Sequence, residues 1–212
     1  MKLLAMGVGG LLAAMAASAS ADVLYSNGPI KGTNAVGIGP YSGQDYLASN
    51  SFSLSANSTV TSVDLGLWAI AVGESPKTLD WVISTTDADW TGQHAIASGT
   101  ASTLASTLSS TFWGTNGSSG DPVYASSFST GNVSLNAGTY YLMLHNGVSN
   151  SGNLLYWDQI FGPSQDTELG GSTVYHYGSE SFTINGTVPE PASLSLLGVG
   201  ALLLIRRHRS QD

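Results

Sequence analysis

No cysteine occurs in the 212 residues, so disulfides, thiolate-bound metals and a cysteine nucleophile are all excluded. The fold must rest on its own core. Cations are nearly as scarce: there are six Lys and Arg in all, and Lys2, Arg206, Arg207 and Arg209 lie in the terminal segments. Between Asp22 and Thr187, two lysines (Lys31 and Lys77) stand against twelve carboxylates, a formal charge of −10. Nucleic-acid binding depends on clustered Lys and Arg displacing counterions from phosphate, so nucleic-acid partners are excluded. Charged residues make up only 9% of the chain, too few for a solvated helical bundle or a charge-driven disordered tail. The 42% of apolar residues still suffices for a core, and the length allows one or two domains.

What is present is segmental. Residues 1–21 combine an early Lys2, an apolar run of small residues and Ala19-Ser20-Ala21, a small-x-small site. This pattern predicts a cleaved secretory signal, with the mature chain starting at Asp22. Residues 188–212 reverse the order. Val188-Pro189-Glu190-Pro191 is a stiff spacer, Ala192 to Ile205 is uncharged and mostly apolar, and Arg206-Arg207-His208-Arg209 follows. At about 1.5 Å per residue a helix over 192–205 is roughly 21 Å long, against a hydrocarbon core of about 30 Å. It is a marginal span, and the arginines favour keeping that end in the cytoplasm.

The run VPEPASLSLLGVGALLLIRRHR resembles the PEP-CTERM sorting signal of Gram-negative bacteria. Pro189, Glu190 and Pro191 match its motif, 192–205 its short membrane helix, and Arg206, Arg207 and Arg209 its basic end. The resemblance implies export by the secretion machinery and transient inner-membrane anchoring through the helix. It further implies processing by an exosortase, a membrane-embedded cysteine transpeptidase-like enzyme. The destination it implies is the cell surface or extracellular matrix, often in bacteria that make exopolysaccharide.

Between these ends, residues 22–187 show a period of two. Phe52 and Leu54, Val63, Leu65 and Leu67, Leu79, Trp81 and Ile83, and Tyr140, Leu142 and Leu144 alternate with polar or small neighbours. Such alternation buries one face of a strand. Turn signals such as Asn27-Gly28-Pro29, Asn146-Gly147 and Gly162-Pro163 separate the runs. The expected fold is all-β, an antiparallel β-sandwich of jelly-roll type, with a closed barrel as the alternative. The segment 99–110 fits either a strand pair or an exposed loop. The body also resembles the β-rich ectodomains found attached to PEP-CTERM signals, a likeness that brings no activity with it.

No catalytic motif stands out. His94, His145 and His176 are present, but the body has no G-x-S-x-G. Asp64, Glu74, Asp158 and Glu180 are candidates for a glycosidase-type pair, yet none sits in a recognisable motif; most acids are expected to face solvent, with Asp87, Asp121 and Asp166 in turns. Asp87 and Asp89 alternate in the densest acidic turn, which suits a structural calcium ion, although aspartates also end strands by bonding their own turn. No other cofactor is expected. Aromatics give the better hint of a ligand. Trp90 and Trp113 adjoin glycine-rich loops, and Tyr156-Trp157-Asp158 sets rings beside a carboxylate, the mix that sugars exploit; the competing use of these rings is core packing. Two classes follow: a non-catalytic surface or matrix protein contacting exopolysaccharide, or a secreted polysaccharide-cleaving enzyme on the same scaffold.

Overall fold

A computed structural model describes residues 21–71, 73–89, 91–113, 120–170, 173–176 and 178–189, with residues 110–113 described by backbone alone. The alternating segments are antiparallel strands in two packed sheets. The first sheet contains β1 (Asp22–Ser26), β2 (Ala35–Gly37), β5 (Ser58–Trp68), β8 (Ala105–Trp113), β9 (Asp121–Leu135), β11 (Tyr156–Ile160), β14 (Ser179–Glu180) and β15 (Phe182–Thr187). The second contains β3 (Pro40–Tyr41), β4 (Gln44–Leu54), β6 (Pro76–Ser84), β7 (Ala95–Ala101), β10 (Gly138–Ser149), β12 (Asp166–Gly170) and β13 (Thr173–Tyr175). Among the described residues no helix is long and apolar enough to cross a membrane; the segment 192–205 lies outside them.

The period-two sets line the space between the sheets. Val63, Leu65 and Leu67 of β5 face Leu142 and Leu144 of β10 and Leu79 and Ile83 of β6 in one cluster, each at most 3% exposed. Aromatic rings continue this core toward the β1 side: Tyr25 lies 5.5 Å from Phe182 and 6.2 Å from Phe52, and Phe52 lies 5.8 Å from Tyr140. Apolar burial on this scale is the main force holding two cysteine-free sheets together.

Segment 99–110 resolves into the end of β7 and the start of β8, which belong to different sheets: β7 pairs with β6, and β8 with β9. The connection therefore crosses from one layer to the other. Asn146-Gly147 is not a turn. It sits inside β10, where the register with β6 shifts between His145 and Val148 and Asn146 takes φ 52°, the mark of a bulge. The bulge carries Gly147 against the other layer, where its N–H donates to Ile38 O at 2.6 Å and its carbonyl accepts from Leu155 N at 3.0 Å. A Cβ on Gly39 would lie 2.1 Å from Gly147 O, so this crossing requires glycine.

One edge of β5 changes partner partway. β15 pairs with Thr59–Leu65, and β11 takes over at Leu67–Trp68. At the changeover a Cβ on Gly66 would press within 2.8 Å of Asp158 Cβ and 2.9 Å of Ile30, so the loop after β1 lies directly on the outer face of the sheet.

Candidate functional site

The expectation that most acids face solvent is overturned at six positions: Glu74, Asp89, Asp158, Asp166, Glu168 and Glu180 are all buried. Alternation along β11 explains the first group. Trp157 and Gln159 point between the sheets, and Asp158 points to the outer face, where the β1–β2 loop covers it. Its carboxylate accepts hydrogen bonds from Lys31 N and Gly32 N, both at 2.8 Å, and from Trp68 Nε1 at 2.9 Å. Asp158 therefore pins that loop and offers nothing to a ligand. Trp157 is corrected likewise: it is fully buried, donates from Nε1 to Ser181 O at 2.9 Å and packs edge-on against Phe182 at 5.7 Å. Tyr156 alone of the three reaches a surface groove, of about 250 Å³, beside Trp68, Ile70 and Asp121. Burial, with lesser help from Tyr41, Asp121 and Tyr46, holds its hydroxyl above the usual tyrosine pKa.

The acidic turn divides its aspartates. Asp89 accepts from His94 N at 2.6 Å, Gln93 N at 3.0 Å, and the hydroxyls of Thr91 and Ser84 at 3.2 Å. Burial raises its pKa, but these four bonds outweigh burial and leave it below the usual value. Asp87 instead reaches across to Ser49 Oγ of β4 at 2.9 Å and Thr167 Oγ1 of β12 at 2.7 Å. Trp90, Glu190, Pro191, Arg206, Arg207 and Arg209 lie outside the described residues, Pro189 is the last one within them, and Trp113 ends β8 opposite Asp121.

The carboxylates that do converge are others. Asp166 is a strand residue, not a turn residue. It and Glu168 stand two apart on β12, on one face of the second sheet, and Glu180 of β14 faces them from the first. Each offers an oxygen within 4.8 Å of the other two. Asn50 Nδ2 donates to Glu180 Oε2, Gln159 Nε2 donates to Glu168 Oε1, and Gly178 N donates to Asp166 Oδ1 at 3.2 Å. Glu180 Oε1 is buried and has no hydrogen-bond partner. Burial, then the Asp166 charge, pushes Glu168 up to about 7, against the Gln159 hydrogen bond that lowers it. Burial raises Glu180 well above the carboxylate range; the Asn50 bond opposes this and the charges of Glu168 and Asp166 add to it.

Two grooves flank the cluster. One, of about 450 Å³, runs past Asp87, Asp166 and His176, whose Nδ1 lies 2.7 Å from Asp166 O. The other, of about 300 Å³, is lined by Asn34, Tyr46, Gln159, Glu168 and Tyr175. A Cβ on Gly170 would lie 3.1 Å from the Tyr46 ring and 3.6 Å from that of Tyr175, so both rings rest over a strand position that has no side chain. Glu168 is not among the acids singled out from the sequence, and Glu180, a candidate there beside Asp64, Glu74 and Asp158, converges with Asp166 and Glu168. The available signal was Asp166-Thr167-Glu168, two acids at strand spacing where an apolar pair would ordinarily face the core.

The molecule is thus an antiparallel β-sandwich with a polar, carboxylate-rich flank between its layers. The PEP-CTERM protein-sorting motif matches residues 187–210 of the chain, beginning at the last residue of β15. The motif marks an exported protein that is directed to the cell surface and processed by an exosortase. No curated protein matches the chain.

Proposed function

We propose that the sandwich is a non-catalytic surface or matrix protein that binds exopolysaccharide in the groove of Tyr46 and Tyr175. The observation that carries the reading is the lining of that groove: two tyrosine rings set over Gly170, the amides of Asn34 and Gln159, and a single carboxylate, Glu168. Rings take the apolar face of a sugar and amides take its hydroxyls. With a formal charge of −10 on the body, a neutral glycan is the favoured ligand, because a polyanion would be repelled.

The competing reading, a secreted polysaccharide-cleaving enzyme, has one point in its favour: Glu168, with its pKa near 7, borders the groove. Glycosidic cleavage needs two carboxyl groups on opposite sides of the scissile bond. Asp166 opens to the other groove, and Glu180 is fully buried. Purified full chain mixed with host exopolysaccharide tests both readings. Binding should weaken about tenfold in Tyr46→Ala and in Tyr175→Ala, the loss of one well-placed ring contact. Depolymerisation that disappears in Glu168→Gln would establish the enzyme instead.

A further inference from the structure

We propose that Asp166, Glu168 and Glu180 form a calcium site that ties β12 of one sheet to β14 of the other. The inference does not rest on the glycan reading, although Glu168 and Gln159 border that groove as well. Three oxygens within 4.8 Å of one another share a point no more than about 2.8 Å from each, so a small inward shift brings all three to the usual calcium–oxygen distance of about 2.4 Å. All three donors are hard carboxylate oxygens, which favours calcium over zinc or copper. Glu180 Oε1 is the second observation: a fully buried carboxylate oxygen with no hydrogen-bond donor has a large desolvation cost to offset, and a cation offsets it. One oxygen of each carboxylate has an outer partner, Asp166 Oδ1 accepting from Gly178 N. Asn50 holds Glu180 Oε2 and Gln159 holds Glu168 Oε1, the arrangement that orients ligands around a metal.

The protein has little else to neutralise this charge. Both lysines of the body, Lys31 and Lys77, are exposed, and the nearest histidine, His176, is engaged at the backbone carbonyl of Asp166. Burial of three acids together without a cation raises the pKa of Glu168 and of Glu180. The two grooves, one bordered by Asp166 and the other by Glu168, give an ion a route in from solvent.

The rival account is a proton shared between Glu168 and Glu180, and the test separates the two. Purified full chain, stripped with EDTA and titrated with calcium chloride, should bind one ion by calorimetry. Its melting midpoint should rise by roughly 5–10 °C at a calcium concentration a hundred times Kd. Glu180→Gln keeps the side-chain shape and removes one charge. It should retain a β-type circular dichroism spectrum and lose the calcium shift. Because a buried variant can fail to fold, terbium luminescence of the unmodified chain, competed away by calcium, supplies a second measure. Identical midpoints in EDTA and calcium, with no heat and no terbium signal, would leave the shared proton and overturn the proposal. A full calcium response in Glu180→Gln, or one abolished by Asp89→Asn alone, would overturn it equally.

Discussion

Replacing Asp158 with alanine should destabilise the fold, and the size of the effect follows from three hydrogen bonds. The carboxylate is fully buried and takes the N–H groups of Gly32 and Trp68 in buried bonds and that of Lys31 in a part-buried one. Alanine leaves all three donors without an acceptor. Each buried orphan costs about 1.5 kcal/mol, and water reaching Lys31 halves that cost there, so the total is about 4 kcal/mol. This is a large fraction of the roughly 5–15 kcal/mol that holds a domain together. For a chain of this size it corresponds to a melting midpoint lowered by about 8–16 °C. Asp158→Asn should fall between the two, since one acceptor oxygen survives but the new amide N–H₂ faces donors. Urea titration followed by tryptophan fluorescence measures the loss, and hydrogen exchange locates it, with the amides of Lys31 and Gly32 exchanging faster while those of β10 stay protected. A midpoint within 2 °C of the parent would refute the assignment of Asp158 as the pin of the β1–β2 loop.

Three further outcomes are expected. Asp89 titrates below its ordinary value of 3.8, so it adds stability above that pH and loses it as acid protonates the folded form; Asp89→Asn should move the midpoint of acid unfolding upward, as read by circular dichroism. Gly39→Ala drives a methyl group into Gly147 O and should cost about 3 kcal/mol or more, visible as a lowered denaturation midpoint or insoluble product. Changing Pro189, Glu190 and Pro191 together to alanine should leave export intact while an unprocessed form accumulates in the membrane fraction; an unchanged mature mass by mass spectrometry would refute the role of the motif.

The sandwich was legible because its core strands obey a simple rule. Val63, Leu65 and Leu67 and Tyr140, Leu142 and Leu144 alternate with residues that need no burial, and each set lines the interlayer as its spacing predicts. Asn146-Gly147 misled because the same dipeptide that makes a hairpin turn also makes a bulge, and only the pairing of β10 on both sides decides between them. The carboxylate cluster was illegible for a related reason. Asp166 and Glu168 on β12 meet Glu180 on β14 only after the two sheets pack, and no local pattern announces a contact made across layers. Trp157 and Asp158 stand side by side in the chain, but strand alternation sends them to opposite faces, so their adjacency in sequence described no shared site.

The placement of β15 has a mechanical consequence. It lies between β1 and β5, with Asp22 of β1 opposite Gly186 and Thr59 of β5 opposite Thr187. Pro189 follows only two residues on, within about 7 Å at strand spacing. Tension applied through the sorting signal therefore enters the body along the axis of a strand flanked on both sides. To extract it, the hydrogen bonds to β1 and β5 must rupture together in shear, instead of opening one after another as they would in a peeled edge strand. A sandwich held by its C-terminal end against flow would thus resist unfolding at the point where the pull arrives.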